Sequence, residues 1–319
     1  MTRIPLVRLG SLLACAALLA LLPPAPAHAA VGPVHVMTWN ACGNDPKPAA
    51  GAPDPCTNSR NTTNTAGTIS WHMKNHYVDG SLVVVDAVLL QEVCEADVAR
   101  LRTFDWLAGW SWAFAPITQR MAGTQAVAPK VCRPDDDTGA SRGYFGVAIG
   151  VDRATTFRAP YYYRAHPSGT DQWGNDYQHR VLLCGTVSAW SATICDTHLS
   201  PVQDNDADGS VRAAQVREML AQAGTGRVLV GGDLNTVPPD SPTGAGDASP
   251  LAPLYTAYDE ADGSRYADRD GEGTFQQPDG GRLKLDYLFT TRGATQTCDV
   301  TDNAVLSSDH RPLVDVVTW

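Results

Sequence analysis

The stretch Val228-Leu229-Val230-Gly231-Gly232-Asp233-Leu234-Asn235 decides the reading of this chain. Three apolar residues run into two glycines, then into a carboxylate and an amide two positions apart. A short apolar run bounded by turn residues reads as a buried strand. Its polar end is costly to bury without a compensating partner. The pattern recurs elsewhere. Ala87-Val88-Leu89 runs into Leu90-Gln91-Glu92, and Ser308-Asp309-His310 stands just before the strand-like stretch Leu313 to Trp319. Hard oxygen donors and a histidine at converging strand ends suggest a metal-dependent hydrolase.

Outward from these segments, strands alternate with a few helices. Strands are expected over Val34 to Trp39, Asp86 to Gln91, Trp110 to Ala115, Gly143 to Val151 (alternating), Thr155 to Arg164, Leu283 to Thr290 and Leu313 to Thr318. Helices are expected around Thr68 to Tyr77, Ala96 to Leu107, Val211 to Ala223 and Leu251 to Ala261. Loops fill Gly43 to Asn64, Gln119 to Thr138, His166 to Tyr177 and Asp240 to Pro250. Such an order suggests a layered α/β domain, with no repeat and no second domain.

The first thirty residues read differently. Arg3 and Arg8 precede the Leu/Ala-rich run Leu9 to Leu22, and Ala27-His28-Ala29 is a cleavage-like triplet. This is the pattern of a secretory signal peptide. The run is short for a membrane anchor, and Cys15 lies inside it rather than after it, unlike a lipoprotein site. The protein is therefore expected to be secreted, without stable membrane association, as a monomer. About 289 of the 319 residues remain, enough for one large domain over 31–319. The chain carries 24 basic and 34 acidic side chains; losing Arg3 and Arg8 leaves 22 against 34, a balance of −12. An acidic protein is not a general polyanion binder, so a nucleic acid substrate would need metal ions or a local basic patch.

Seven cysteines follow the leader, and in an exported protein they should largely pair. Val181 to Val187 and Ala192 to His198 look like strands around Ser188-Ala189-Trp190-Ser191. Pairing Ser188 with Ser191 sets Cys184 opposite Cys195, within disulfide reach. Cys42 with Cys56 would close a Pro-, Gly- and Asn-rich loop, leaving Cys94 with Cys132 and a single Cys298. The cysteine spacing does not suit zinc.

Read together, Thr38-Trp39-Asn40, Leu90-Gln91-Glu92-Val93, Asp196-Thr197-His198-Leu199, Gly232-Asp233-Leu234-Asn235, Leu285-Asp286-Tyr287 and Ser308-Asp309-His310-Arg311-Pro312 resemble, in order, the motifs of the endonuclease/exonuclease/phosphatase superfamily, the deoxyribonuclease I-like group. The resemblance runs from about Val34 to Val317. It implies a four-layer α/β/β/α sandwich of two packed mixed sheets flanked by helices, with the motifs gathered at one end.

Phosphate ester hydrolysis there needs an activated water, charge neutralisation and help for the leaving oxygen. His310 is the candidate base, since imidazole suits proton removal near neutral pH. By the resemblance, Asp286 holds that ring. Glu92 is the leading Mg2+ (or Mn2+) ligand, with Asp309 and Asn40 beside it. Asp233 and Asn235 would serve the attacking water, the phosphate or a second metal, and His198 a phosphate or leaving oxygen. Taken singly, each has a structural explanation: a strand cap, a turn amide, a core histidine.

Weaker signals stand apart. Asp204-Asn205-Asp206-Ala207-Asp208-Gly209 matches half of a calcium loop, so structural Ca2+ is an alternative there. However, Gln215 replaces the bidentate acid, which favours helix capping. Arg180 and Arg142 could contact phosphate or simply be solvated. Asn61-Thr62-Thr63 is a glycosylation triplet, and Trp106, Trp110 and Trp112 read as core. Arg142-Gly143 stands where the nuclease branch has an acid supporting the histidine, which leaves the support of His198 in question. A secreted nuclease is the leading expectation. The rivals are a sphingomyelinase-like phospholipid phosphodiesterase, for which no exposed apolar hairpin is evident, a phosphomonoesterase, and a catalytically dead binding module.

Overall fold

Two β-sheets pack face to face and carry helices on their outer surfaces, the four-layer α/β/β/α sandwich expected. The computed structural model describes residues 32–45, 48, 54–124, 126–171, 174–242, 245–264, 271–301 and 307–319; the leader expected over 1–30 lies outside the described residues. The first sheet runs Thr295–Val300, Leu313–Thr318, Val34–Asn40, Ala87–Cys94, Phe145–Val151, Ser111–Pro116. The second runs Tyr161–Tyr162, Val181–Val187, Ala192–His198, Arg227–Asp233, Asp286–Thr291, Tyr258–Glu260.

Each sheet holds a parallel pair. Val34–Asn40 and Ala87–Cys94 flank the helix Thr62–His72, while Ala192–His198 and Arg227–Asp233 flank the helix Ser210–Ala223. Parallel neighbours require such a crossover, and the crossover places a helix on the sheet face. Alternate residues then face different layers. Val36 and Leu89 enter the core between the sheets, with Ile194, Leu229 and Leu288 opposite. Met37, Trp39 and Leu90 point outward beneath Ile69, Val98 and Leu101. On the other side Val228 and Val230 meet Val216, Met219 and Leu254.

Several boundaries move for physical reasons. Phe145–Val151 is buried at every position rather than alternating, because both of its faces are covered. The first helix starts at Thr62, since Asn61 Oδ1 accepts the Asn64 N–H and caps it. It ends at His72, and Tyr77 lies in the hairpin His76–Val78/Ser81–Val83. The helix expected to reach Leu107 stops at Leu101; a separate 3₁₀ turn follows at Asp105–Leu107. Thr155 to Arg164 splits into Thr155–Phe157 and Tyr161–Tyr162, both paired to Val181–Val187. Pro160, which has no N–H to donate, stands between them. Helix Ala252–Ala257 gives way to the strand Tyr258–Glu260. The edge strand Thr295–Val300 and the hairpin Thr118–Arg120/Val127–Pro129 fall in stretches that carry no clear apolar alternation.

Exposed apolar hairpins do exist, contrary to expectation. Tyr77 and Leu82 face each other across one, 60% and 55% exposed, while Met121, Val127 and Val131 stand out around the Thr118–Pro129 hairpin. The tryptophans Trp106, Trp110 and Trp112 pack half-buried against the outer core. All three disulfides form as paired from sequence: Cys42–Cys56, Cys94–Cys132 and Cys184–Cys195, the last between directly opposed residues. Cys298 is buried outside these three disulfides, its Sγ 3.6 Å from Asp262 Oδ1. Among the described residues no helix is long and apolar enough to cross a membrane.

Candidate active site

The conserved logic of an α/β sheet places ligands beyond the carboxyl ends of parallel strands, and here several such ends meet. Asn40, His198 and Asp233 each close a strand; His198 is in register with Asp233, and Asp233 with Asp286. Asn40, Glu92, His198, Asp233, Asn235, Asp309 and His310 line one cleft of about 570 Å3, together with Arg180.

Local backbone distortion aims these side chains. The ladder between Ala87–Cys94 and Phe145–Val151 slips between Leu90 and Val93, and within that bulge Glu92 adopts φ 54°. A bulge breaks the alternation and re-aims the side chain. Gln91 instead points inward and donates to Thr38 Oγ1 (3.1 Å) and Asp196 Oδ1 (2.7 Å), a bridge between the sheets. Gly232 has φ 129°, and a Cβ there would lie 1.8 Å from Thr197 O, so glycine is obligatory. Asn235 follows at φ 48°, its N–H donating to Asp233 Oδ1 (2.9 Å) in an Asx turn and its Nδ2 to Leu199 O (3.0 Å). Non-glycine residues in this region hold strain, which clusters at functional sites.

His310 is held from every side. Its Nδ1 lies 2.7 Å from Asp286 Oδ2, its N–H donates to Ser308 Oγ (3.0 Å), and its carbonyl accepts from Trp39 Nε1 (3.0 Å). Ser308 Oγ in turn donates to Asn40 O (2.7 Å). Asp286 is fully buried behind the ring and does not reach the cleft. On the cleft side, Asp233 Oδ2 is 3.6 Å from His310 Nε2 and 3.3 Å from His198 Nε2, and accepts from Asn40 Nδ2 (3.0 Å).

Burial disfavours charge on His310, but Asp286 and Asp233 outweigh it and push the ring up to about 10. Asp233 rises to about 7, mainly through burial, with His310 pulling it down and Asp286 pushing it up. His198 sits well below the usual imidazole range because it is buried and faces Arg180 and His310. Burial, and then the like charge of Asp309, raise Glu92.

That mutual repulsion is the observation that fits a cation. Glu92 and Asp309 are hard donors crowded into one cleft, the donor set that suits Mg2+ or Mn2+. Asn40 fits less completely, since its Oδ1 already accepts the Cys42 N–H (3.0 Å). Cys42 and Cys56, near Asp309, are disulfide-bonded and offer no thiolate.

Arg142 is a correction. It is 1% exposed and pairs with Asp97 Oδ2 at 2.8 Å, so it contacts no substrate. His198 accordingly draws no support from that position; Asp233 lies nearest to it, with Glu92 Oε1 3.9 Å from Nδ1. Arg180 is the reverse case. It is 4% exposed, lines the cleft and approaches Asp204 Oδ2 at 3.7 Å, while its Nε and Nη1 are buried without a hydrogen-bond partner. Its place at the start of a strand was the only sequence signal. Ser308 and Trp39 had none beyond their motifs. The calcium-like segment caps a helix: Asp206 accepts from Val211 N, Arg212 N and Arg212 Nε, and Gln215 turns inward to Ser200.

Solved structures of other proteins share this fold. An endonuclease/exonuclease/phosphatase from Beutenbergia cavernae superposes with a TM-score of 0.57 at 17% identity, covering 91% of this chain and 72% of that one. Danio rerio TDP2 in complex with a single-strand DNA product gives 0.54 at 15% identity, covering 90% and 99%. The human Nocturnin catalytic domain with bound sulfate gives 0.52 at 16% identity, covering 90% and 94%. Among curated proteins the sequence finds no match. At the sequence level, residues 37–310 match the model of the Endonuclease/Exonuclease/phosphatase family, and the chain belongs to that family.

Proposed function

We propose that this protein is an exported, divalent-metal-dependent phosphodiesterase that cleaves nucleic acid by in-line attack of water, with 31–319 as its catalytic domain. The observation that supports this most is the His310–Asp286 contact opening onto the cleft that holds Glu92 and Asp309. Membership of a family of metal-dependent phosphoric ester hydrolases supports the reaction class.

Glu92 and Asp309 would hold the ion, with Asn40 contributing its remaining lone pair. When bound, a divalent cation neutralises phosphoryl oxygens and opposes the carboxylates that retain the His310 proton. Asp286 fixes the ring with Nε2 toward the cleft, where it takes the proton of the attacking water. Asp233 and Asn235 position that water. His198, kept neutral, donates to a phosphoryl or leaving oxygen. Arg180, which lines the cleft with its charge fixed, clamps the phosphate.

A protein of the same fold, Danio rerio TDP2, forms a complex with a single-strand DNA product, and this supports the choice by analogy. The paired cysteines and the leader-like 1–30 support export. A second reading, hydrolysis of phospholipid headgroups, draws support from the exposed Tyr77 and Leu82 and the apolar residues around Met121. The deciding assay offers supercoiled plasmid, RNA and sphingomyelin vesicles with Mg2+, with Mn2+ and with chelator. Metal-dependent nicking is expected. Headgroup release with no cleavage of either nucleic acid rejects the proposal.

A further inference from the structure

The carboxylate of Asp286 meets the His310 ring through Oδ2, while its Oδ1 is buried and, among the described residues, has no hydrogen-bond partner. A carboxylate held at one oxygen takes its direction from its own backbone. The backbone of Asp286 therefore decides how the ring is met. It stands where the sheet gives out. Asp286 opens the strand Asp286–Thr291, and the neighbouring strand Tyr258–Glu260 pairs only with Phe289 to Thr291, ending short of Asp286. A buried backbone N–H must still find an acceptor.

Thr274 supplies it. The residue is fully buried, and its Oγ1 accepts the N–H groups of both Leu285 (3.1 Å) and Asp286 (3.1 Å). A hydroxyl oxygen has two acceptor lone pairs, so one side chain can serve both. The main chain of the same segment reaches the other partner. Thr274 O accepts the Arg311 N–H (2.7 Å), and the Gln276 N–H donates to Asp309 O (2.8 Å), which sets Phe275 opposite His310. The Phe275 ring packs 5.0 Å from the imidazole. Thr274 thus ties the backbone that carries the carboxylate to the backbone that carries the ring, by its hydroxyl on one side and its carbonyl on the other.

We propose that Thr274 is a positioning residue for the His310–Asp286 pair. Its hydroxyl fixes the Asp286 backbone, and with it the angle at which Oδ2 meets Nδ1. Thr274 does not line the cleft and acts through Asp286 alone. The inference rests on His310 being the base of the proposed reaction. Threonine suits the task because its γ-oxygen sits on a β-branched side chain with little freedom at χ1. Serine keeps that oxygen; valine keeps the shape and loses it.

The test measures kcat and KM of the full chain on supercoiled plasmid with Mn2+, or on sphingomyelin vesicles if those are what the wild type cleaves, since the positioning concerns the phosphodiester and not what flanks it. Thr274→Val should lower kcat about 10²-fold, the scale of a misplaced reacting group, and leave KM within about twofold. Thr274→Ser should return kcat to within about threefold of the wild type. In an Asp286→Asn background, Thr274→Val should cost less than about threefold more, because the carboxylate it orients is already gone. Stability is the separate readout: the valine should lower Tm equally in both backgrounds, since the same N–H groups are stranded. Thr274→Cys, a weaker acceptor at the same place, replaces the valine variant if that one does not fold. The inference is refuted, with the base assignment intact, if Thr274→Val keeps the wild-type kcat, loses as much again on top of Asp286→Asn, acts through KM alone, or is not rescued by serine. If Asp286→Asn itself keeps the wild-type kcat, or the wild type cleaves neither substrate, the reading of the site falls and this inference with it.

Discussion

Asp286 Oδ2 and His310 Nδ1 lie 2.7 Å apart although 24 residues separate them, and neither atom reaches bulk water. The carboxylate sits at the start of an antiparallel strand and the ring on a stapled turn, so the contact belongs to the tertiary structure. Asp286→Asn keeps the shape but cannot stabilise a charged ring. It should reduce kcat by about 10²–10⁴-fold with little change in KM, and His310→Ala should reduce it at least as far. Circular dichroism should be unchanged in both. Near-wild-type turnover in His310→Ala would show that another group is the base.

Glu92 is held in a strained bulge against the like charge of Asp309. Glu92→Gln should therefore raise the Tm of the metal-free protein slightly. It should also abolish the increase in Tm that Mn2+ gives the wild type, where binding stabilises the fold by about 2.7 kcal/mol at a ligand concentration of 100 Kd. A normal metal response in the variant would place the ion elsewhere.

His76 is buried, and burial together with the neighbouring His72 lowers its pKa from 6.5 to about 3. The folded state thus binds this proton less readily than the unfolded chain. Its contribution to stability is complete above pH 6.5 and is lost as the pH falls from 6.5 toward 3. The loss approaches a few kcal/mol at the acid end. Denaturant melts of the wild type and His76→Phe should diverge over that window, with the variant less sensitive to acid. Parallel pH profiles would show that His76 does not titrate on unfolding.

Asp97 and Arg142 form a buried ion pair beneath the cleft wall. Removing one partner strands the other charge, so Asp97→Ala should cost about 3–5 kcal/mol in urea unfolding. Residual folded enzyme should keep its KM, since Arg142 contacts no substrate.

The disulfides differ in the loop they close. Cys184–Cys195 spans 11 residues and Cys94–Cys132 spans 38. On chain-entropy grounds, replacing the first pair by serine should cost about 3 kcal/mol and the second about 4. Equal losses measured by denaturant unfolding would show that native-state strain, rather than loop length, dominates.

Sequence by itself determined the layers and most of the chemistry. Apolar runs such as Val228 to Val230 must be buried, and the polar residues that end them must meet a partner, so strand ends carrying Asn40, Glu92, His198, Asp233 and His310 could be read as one site. The turn at Ser188 to Ser191 determined the register of Cys184 and Cys195 because hairpin pairing is local. Tertiary structure decided what depends on distant neighbours. Arg142 and Arg180 are the same residue type on the approach to a strand, yet Asp97 occupies one and the cleft receives the other. Phe145–Val151 lost its alternation only because a second sheet and a helix cover its two faces. A cavity beside the cleft arises where Met121, Lys130 and Val131 meet Asn175, Tyr177 and Gln178 across the chain, and a contact of that kind leaves no periodicity for a sequence to show.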